Sequence, residues 1–135
     1  MRDDPRNSGT WYLKNKEEYS KDSIVETYIG ASYIDPCEEW FIETFRAKLG
    51  TWDMLDIGVG TGRTTLHFSP LVRSYTGVDY SPAMIAECKK RFHESGNQLD
   101  FKVCDMSDLS DFENDTFDFI LISFNAISTL PLSRR

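Results

Sequence analysis

The stretch Met54–Arg63 reads MLDIGVGTGR, and the rest of the chain is organised around it. An apolar run, Trp52–Ile57, leads into three glycines at alternate positions, and a helical pattern, Arg63–Phe68, follows them. Because glycine lacks a Cβ, this loop can adopt positive φ and let a ligand lie against bare backbone. The N–H groups that begin the next helix would point at that ligand. Strand, glycine loop and helix together predict the first turn of a doubly wound α/β sheet, whose ligands bind at the carboxyl ends of the strands.

The spacing of the glycines distinguishes between types of nucleotide-binding loop. A dinucleotide loop requires the pattern G-x-G-x-x-G, but here Gly62 comes one residue early and Arg63 stands at the last position. A P-loop requires lysine directly after a glycine, and no glycine of this sequence is followed by lysine. A nicotinamide-dependent oxidoreductase is therefore disfavoured. A glycine-rich turn that binds nothing is the simplest alternative to a cofactor loop.

Composition and charge narrow the class of protein. The chain has 135 residues, of which 40% are hydrophobic, so a single globular domain is expected. A formal net charge of −7 disfavours binding to nucleic acid or to an anionic membrane surface. The three cysteines form no C-x-x-C pair and there are only two histidines, so no metal site is expected. With no signal-peptide pattern and no long apolar run, the sequence predicts a cytoplasmic protein.

The chain is predicted to contain a short arm and one domain. Residues 1–10 are polar and are expected to form a flexible N-terminal arm. Residues 11–135 form the domain, in which a helical leader, 11–50, precedes an α/β core, 51–135.

The core is predicted to contain four strands that alternate with helices: Trp52–Ile57, Ser74–Val78, Leu99–Cys104 and Phe117–Ser123. This alternation implies right-handed crossovers and a parallel sheet. The strand order is 3-2-1-4 if the topological switch lies beside strand 1. In the leader, Asp35, Pro36 and Glu38 predict a helix that begins with a capping box.

Three aspartates end the first three strands: Asp56, Asp79 and Asp105. Parallel strands bring their carboxyl ends to one rim, so these side chains should lie near the glycine loop. Asp79 follows that loop by about twenty residues, where doubly wound folds place the acid that binds ribose hydroxyls. Its two oxygens can accept from two neighbouring O–H groups, and they would repel a 2′-phosphate. Asp56 either contacts a ligand or orients the loop, and Asp105 either contacts a ligand or caps Met106–Leu109.

Four motifs occur in a fixed order along residues 36 to 130: Leu55–Gly62, Gly77–Met84, Cys104–Met106 and Phe117–Ser123. In this combination the chain resembles the class I S-adenosylmethionine-dependent methyltransferases, and within them the small-molecule methyltransferases. The resemblance covers the N-terminal part of that fold, which is Rossmann-like, and it implies an S-adenosylmethionine-binding domain over 11–135.

The resemblance also implies a set of cofactor-binding residues: Asp56, Gly58, Gly60, Gly62, Asp79, Tyr80, Met84, Asp105, Met106 and Ser123. The glycines would lie alongside the methionine part of the cofactor, and Asp79 would bind the ribose hydroxyls. Tyr80 and Met84 would flank the adenine. Asp105 would accept from the adenine amino group, with Met106 on the adenine face. Ser123 would lie near the sulfonium, and Tyr28 or Tyr33 of the leader would close over the cofactor.

The implied reaction is in-line transfer of a methyl group to a small molecule, which leaves S-adenosylhomocysteine. Such a reaction depends mainly on positioning, so no catalytic side chain is predicted. The family fold has seven strands, and only four are recognised in this sequence. Strand 4 would then be an apolar edge, Phe119–Ile122, able to pair in a homodimer or with a partner chain. Two alternatives remain: a non-catalytic S-adenosylmethionine-binding half-domain, or a truncated methyltransferase. A nicotinamide-dependent oxidoreductase is the less favoured third.

Overall fold

A computed structural model describes residues 9–96, 98–123 and 126–130 of the chain. Its centre is a parallel sheet of four strands in the order β3-β2-β1-β4. The strands are β1 (Asp53–Ile57), β2 (Ser74–Asp79), β3 (Leu99–Val103) and β4 (Phe119–Ile122). The predicted Rossmann-like α/β fold and its strand order are confirmed.

Five α-helices surround the sheet in the part of the chain that the structure describes. They are α1 (Gly9–Tyr19), α2 (Asp22–Tyr28), α3 (Pro36–Leu49), α4 (Thr65–Phe68) and α5 (Pro82–Arg91), and a short 3₁₀ helix, Ala126–Thr129, follows β4. Residues 1–8 of the predicted arm lie outside the described residues, and its last two residues already belong to α1. None of the helices described is long and apolar enough to span a membrane.

The predicted helix starts have the hydrogen bonds that their sequences imply. At α3, Asp35 Oδ1 accepts from Cys37 N at 2.9 Å and Glu38 Oε2 accepts from Asp35 N at 2.9 Å, which forms the capping box. At α5, Ser81 Oγ accepts from Met84 N at 3.3 Å. Both helices therefore begin at a fixed residue beside the sheet. These starting points determine which of their side chains reach the carboxyl ends of the strands.

The two faces of the sheet are covered differently. On one face α3, α4 and α5 enclose the main core: Ile42, Leu49, Met54, Val59, Phe68, Val72, Tyr75, Ile85, Cys88 and Phe101. On the other face, Leu55, Ile57 and Val78 are covered by side chains of the irregular segment 104–117, between β3 and β4. One face is thus packed by helices, and the other by a loop that also reaches the carboxyl rim.

Strand β4 is an edge strand, and only one of its faces is packed. Phe119 stacks on Phe41 of α3 with ring centroids 4.4 Å apart. On the opposite face Ile120 and Ile122 are 51% and 40% exposed. No strand among the described residues pairs with the outer edge of β4. The apolar edge predicted from the sequence is therefore present.

Candidate functional site

The glycine loop turns the chain from β1 into α4 through three residues with positive φ. These are Gly58 (φ 76°), Gly60 (φ 56°) and Gly62 (φ 86°), a conformation that other residues rarely adopt. Gly58 N and Val59 N both donate to Val78 O, at 2.8 and 3.0 Å, which ties the loop to the end of β2. A Cβ placed on Gly60 would meet nothing within 4 Å. That glycine therefore presents open backbone, as a cofactor loop requires.

Asp79 connects the glycine loop to the start of α5. Its Oδ2 accepts from Gly60 N at 3.0 Å and its Oδ1 accepts from Ser81 N at 2.9 Å. Burial raises the pKa of Asp79, while the two backbone hydrogen bonds act to lower it. Each oxygen keeps acceptor capacity beyond its backbone bond, so the carboxylate can accept from two further O–H donors.

One cavity, called here the first cavity, lies against this carboxylate. Seven of the predicted residues line it: Gly58, Gly60, Asp79, Tyr80, Met84, Met106 and Ser123. The leader contributes Tyr19 and Tyr28, and Ala126 of the 3₁₀ helix completes the lining. The structure therefore brings most of the predicted site together around a single space, and their role in binding stays a prediction.

A second cavity adjoins the first along the glycine loop. Both cavities are lined by Tyr28, Gly58, Gly60 and Ser123. The second adds side chains of the loop and of the leader, including Tyr33, Thr61 and Arg63. Of the two leader tyrosines expected to close over a cofactor, Tyr28 lines both cavities and Tyr33 lines only the second. An elongated ligand lying along the glycine loop would have one end in each cavity.

Asp56 lies beneath the loop and not in either cavity. It is fully buried, and its Oδ2 accepts from Thr64 and, at 2.5 Å, from Tyr75. Its Oδ1 has no hydrogen-bond partner among the described residues. Burial raises the pKa of Asp56 to about 6, against the lowering effect of the two hydroxyls. Of the two roles left open by the sequence, this placement supports the one in which Asp56 orients the loop.

Gly62 likewise faces away from both cavities. A Cβ at this position would collide with the ring of Phe92, which follows α5. The absence of a side chain at Gly62 lets the loop and the end of α5 pack closely. The first two glycines of the motif therefore line the cavities, and the third serves packing.

Asp105 is already engaged by the leader. Its Oδ2 accepts from the Tyr12 hydroxyl and, at 3.0 Å, from Lys16 Nζ, and its Oδ1 accepts from Ser107 N at 3.0 Å. Although burial acts to raise it, these hydrogen bonds lower the pKa of Asp105 to about 2. The carboxylate predicted to meet an adenine amino group thus holds α1 in place.

One face of α1 covers this side of the rim. Tyr12, Lys16 and Tyr19 recur at helical spacing, and Tyr19 meets Tyr80 edge to face with ring centroids 6.5 Å apart. Lys16 Nζ lies 5.9 Å from the centroid of the Tyr80 ring. The Tyr80 hydroxyl donates to Asn15 O at 3.5 Å. That this face of α1 covers Tyr80 was not predicted from the sequence. The helical spacing of the two tyrosines and the lysine was the signal that could have shown it.

A buried ion pair closes the other end of the site. Glu38 and Arg63 are 6% and 8% exposed, and Arg63 Nη1 and Nη2 donate to Glu38 Oε2 and Oε1 at 2.7 and 2.6 Å. Ser123 Oγ donates to Glu38 Oε1 at 2.5 Å and accepts from Arg63 Nη2 at 3.1 Å. Although burial acts to raise it, hydrogen bonds from Arg63, Ser123 and Asp35 lower the pKa of Glu38 to about 2. The sequence predicted only the capping role of Glu38.

The described residues contain no group of three histidine, cysteine, aspartate or glutamate side chains placed to hold a metal ion. His67 Nε2 lies 2.8 Å from Ser32 O, and His93 Nδ1 lies 3.0 Å from Lys90 O. Neither histidine lines the first or the second cavity.

A family model described as a methyltransferase domain matches residues 54–135. The chain belongs to this methyltransferase family. The family resemblance found in the sequence is thereby confirmed. The match begins within β1 and includes the glycine loop, Asp79 and the segment after β4.

Individual relatives agree with this membership. The methyltransferase domain is 35% identical over 77 residues to the ubiquinone/menaquinone biosynthesis C-methyltransferase UbiE of Desulfotalea psychrophila. That match covers 56% of this chain and 30% of the relative. The solved structure of YcgJ protein from Bacillus subtilis is 32% identical, with a TM-score of 0.55, over 62% of this chain and 36% of that one. The methyltransferase domain thus spans about a third of the length of these two relatives.

A more distant structure shows the likeness of fold over a longer segment. Magnesium protoporphyrin IX methyltransferase (ChlM) of Synechocystis, solved with bound SAH, has a TM-score of 0.61. The likeness covers 83% of this chain and 57% of that one, and the sequences are 15% identical. The leader as well as the core therefore takes part in the shared fold.

Proposed function

We propose that this methyltransferase domain binds S-adenosylmethionine, with the adenosine in the first cavity and the amino-acid end in the second. The observation that carries the proposal is the carboxylate of Asp79. It is fixed by Gly60 N and Ser81 N at the edge of a cavity whose other walls include Tyr80 and Met84. A ribose diol needs a pair of acceptors, and an adenine ring needs apolar and aromatic faces beside them.

Seven of the ten predicted residues line the cavities, while Asp56 and Gly62 serve the loop beneath them and Asp105 is the one rim acid that does not fit. Gly60 leaves open backbone beside Asp79, and Met84 and Met106 supply apolar walls. The exception is Asp105, whose carboxylate is occupied by Tyr12 and Lys16. The adenine amino group would therefore be satisfied elsewhere, or α1 would shift as the ligand enters.

We propose methyl transfer to a small molecule as the reaction. When bound, S-adenosylmethionine supplies a methyl group carried on a positively charged sulfonium. The chain positions that group through Asp79 and the glycine loop, and Tyr19 and Tyr28 of the leader exclude water from the first cavity. The UbiE relative, named for ubiquinone and menaquinone biosynthesis, supports a small-molecule acceptor. No side chain is assigned to proton transfer, and a cytoplasmic location is proposed with this function.

A second candidate is an S-adenosylmethionine-binding unit without catalysis. The cavity beside Asp79 would suffice for such binding without any catalytic side chain. A nicotinamide-dependent enzyme is disfavoured further, because Arg63 stands where the third glycine of a dinucleotide loop is required and its guanidinium is buried against Glu38.

Two experiments separate these candidates. Calorimetric titration with S-adenosylhomocysteine and with NAD tests the ligand: we expect binding of the first and none of the second, and the reverse would contradict the proposal. Transfer of a labelled methyl group from S-adenosylmethionine into a mixed extract of small metabolites tests the reaction. Binding without transfer would favour the non-catalytic unit.

We also propose that two copies of the chain pair through β4. Among the residues that the structure describes, no strand pairs with its outer edge, and Ile120 and Ile122 are exposed beside that edge, which is a surface that invites strand addition. Sedimentation velocity at micromolar concentration should show a dimer that Ile120→Lys dissociates. A monomer at those concentrations would contradict this pairing and would leave the ligand proposal unaffected.

A further inference from the structure

Three separate segments of the chain meet at the carboxylate of Glu38. One segment is the start of α3, where Glu38 Oε2 accepts from Asp35 N at 2.9 Å. Another is the exit of the glycine loop, where Arg63 donates both ends of its guanidinium to the two Glu38 oxygens. The last is the carboxyl end of β4, where Ser123 donates to Glu38 Oε1. Their meeting point borders the second cavity, because Arg63 and Ser123 both line it.

The pair also fixes the neighbouring parts of the leader. Arg63 Nη1 donates to Tyr33 O at 3.0 Å, and the Arg63 guanidinium lies 4.8 Å from the centroid of the Tyr33 ring. Tyr33 also lines the second cavity. The buried ion pair therefore holds one wall of the second cavity from each of three segments: Arg63 of the loop, Ser123 after β4 and Tyr33 of the leader.

The same bonds set the direction of the Ser123 hydroxyl. Its one hydrogen is donated to Glu38 and it accepts from Arg63 at 3.1 Å. The side chain is thereby held in one orientation at the junction of the two cavities. Burying two opposite charges costs desolvation, and apolar residues of similar size often give equal stability. The presence of a charged pair at this place is therefore better explained by a role in positioning than by a role in stability.

We propose that the Glu38–Arg63 pair is a positioning element that shapes the second cavity for the amino-acid end of the cofactor. This inference rests on the proposed function. It assigns to Glu38 and Arg63 no contact with the reacting atoms. It makes affinity for the amino-acid end depend on the pair, while affinity for the adenosine depends on Asp79 and the walls of the first cavity.

The test compares two ligands that share an adenosine. S-adenosylhomocysteine carries the amino-acid end, and 5′-methylthioadenosine lacks it. The variant Glu38→Gln keeps an acceptor for Asp35 N, so the capping box survives while the charge of the pair is lost. The matched control is Glu39→Gln, which changes the adjacent, exposed carboxylate in the same helix. Calorimetry gives both affinities for each variant, and thermal unfolding checks that each is folded.

We expect Glu38→Gln to weaken binding of S-adenosylhomocysteine by about tenfold, as for the loss of one charged hydrogen-bonding partner. Binding of 5′-methylthioadenosine should change by less than about twofold, and Glu39→Gln should leave both affinities unchanged. If Glu38→Gln does not fold, the double variant Glu38→Gln/Arg63→Met removes both charges and takes its place, with the same loss expected.

Two results would overturn the inference: equal weakening of both ligands, or unchanged binding of both by a folded variant. A purely structural role of the ion pair would weaken binding of both ligands equally, because its loss would distort both cavities. Failure of the unaltered domain to bind either ligand is a different outcome, and it would contradict the proposed function itself.

Discussion

Lys16 Nζ donates to Asp105 Oδ2 at 3.0 Å, so the first helix of the leader is tied to the loop that follows β3. The two residues are 89 positions apart in sequence. The Tyr12 hydroxyl donates to the same oxygen, and Tyr19 of the same helix covers Tyr80. The acid that the resemblance assigned to adenine is thus the attachment point of a helix that packs on Tyr80 beside the first cavity.

Loss of this attachment should loosen α1 without affecting the sheet. The Lys16 side chain is 39% exposed and Asp105 is 23% exposed, so the ion pair is worth less than about 1 kcal/mol. Lys16→Ala should therefore speed amide hydrogen exchange in Gly9–Tyr19 by a few fold, with exchange in β1 unchanged. Lys21→Ala is the control, because that exposed lysine pairs only locally, with Glu18. Unchanged exchange in α1 after Lys16→Ala would show that the ion pair does not hold the helix.

Asp56 predicts a pH dependence of stability. Its pKa is raised from 3.8 to about 6 in the folded chain, mainly by burial. The folded state therefore holds a proton that the unfolded state releases, and the contribution of Asp56 to stability falls as pH rises from about 4 to about 6. At roughly 1.4 kcal/mol per pKa unit, the fall is on the order of 2–3 kcal/mol.

The difference in unfolding free energy between the unaltered domain and Asp56→Asn isolates this effect. Denaturant titrations at several pH values should show the unaltered domain losing stability relative to Asp56→Asn across that interval. Glu38 and Asp105, whose pKa values are lowered to about 2, act in the opposite direction and below about pH 4, outside this interval. A difference that does not vary between pH 4 and 6 would contradict the burial of an ionisable Asp56.

The two glycines Gly60 and Gly62 should respond differently to alanine. Gly62→Ala combines a φ of 86° with a collision against Phe92, so we expect destabilisation of about 2 kcal/mol or more. Gly60→Ala meets nothing within 4 Å, so its cost is limited to the strain of its φ, about 1 kcal/mol. The added methyl group at Gly60 should instead impair binding of S-adenosylhomocysteine, because Gly60 lines both cavities.

Denaturant midpoints and calorimetric affinities for the two alanine variants separate stability from binding. The account requires Gly62→Ala to be the less stable and Gly60→Ala to be the weaker binder when compared at a temperature where both are folded. The opposite order of affinities would mean that the third glycine, and not the second, faces the ligand, and the opposite order of stabilities would contradict the packing of Gly62 against Phe92.

The fold was predictable because its signals are local. Glycines at alternate positions after an apolar run permit positive φ, and the structure has it at Gly58, Gly60 and Gly62. The capping box at Asp35 and Glu38 lies within four residues, and the alternation of strands and helices predicted the parallel sheet. Each of these features depends on neighbours along the chain, so a single sequence is enough to reveal it.

The site was predictable only in part, because its remaining contacts join distant segments. Glu38 meets Arg63 across 25 positions and Ser123 across 85, and no local pattern encodes such pairs. Asp56 was ambiguous for a different reason. Four consecutive residues of β1, from Met54 to Ile57, are buried, so the sequence pattern could not show which face the aspartate takes.

The carboxylate of Asp79 carries the central claim, and a titration of S-adenosylhomocysteine into Asp79→Asn tests it most directly. The matched control is Asp100→Asn, which changes an exposed carboxylate on β3. Asparagine removes the charged acceptor that two ribose hydroxyls would share, so binding should weaken by about 1–3 kcal/mol, with the control unchanged. Equal affinity of a folded Asp79→Asn domain and the unaltered domain would contradict the account.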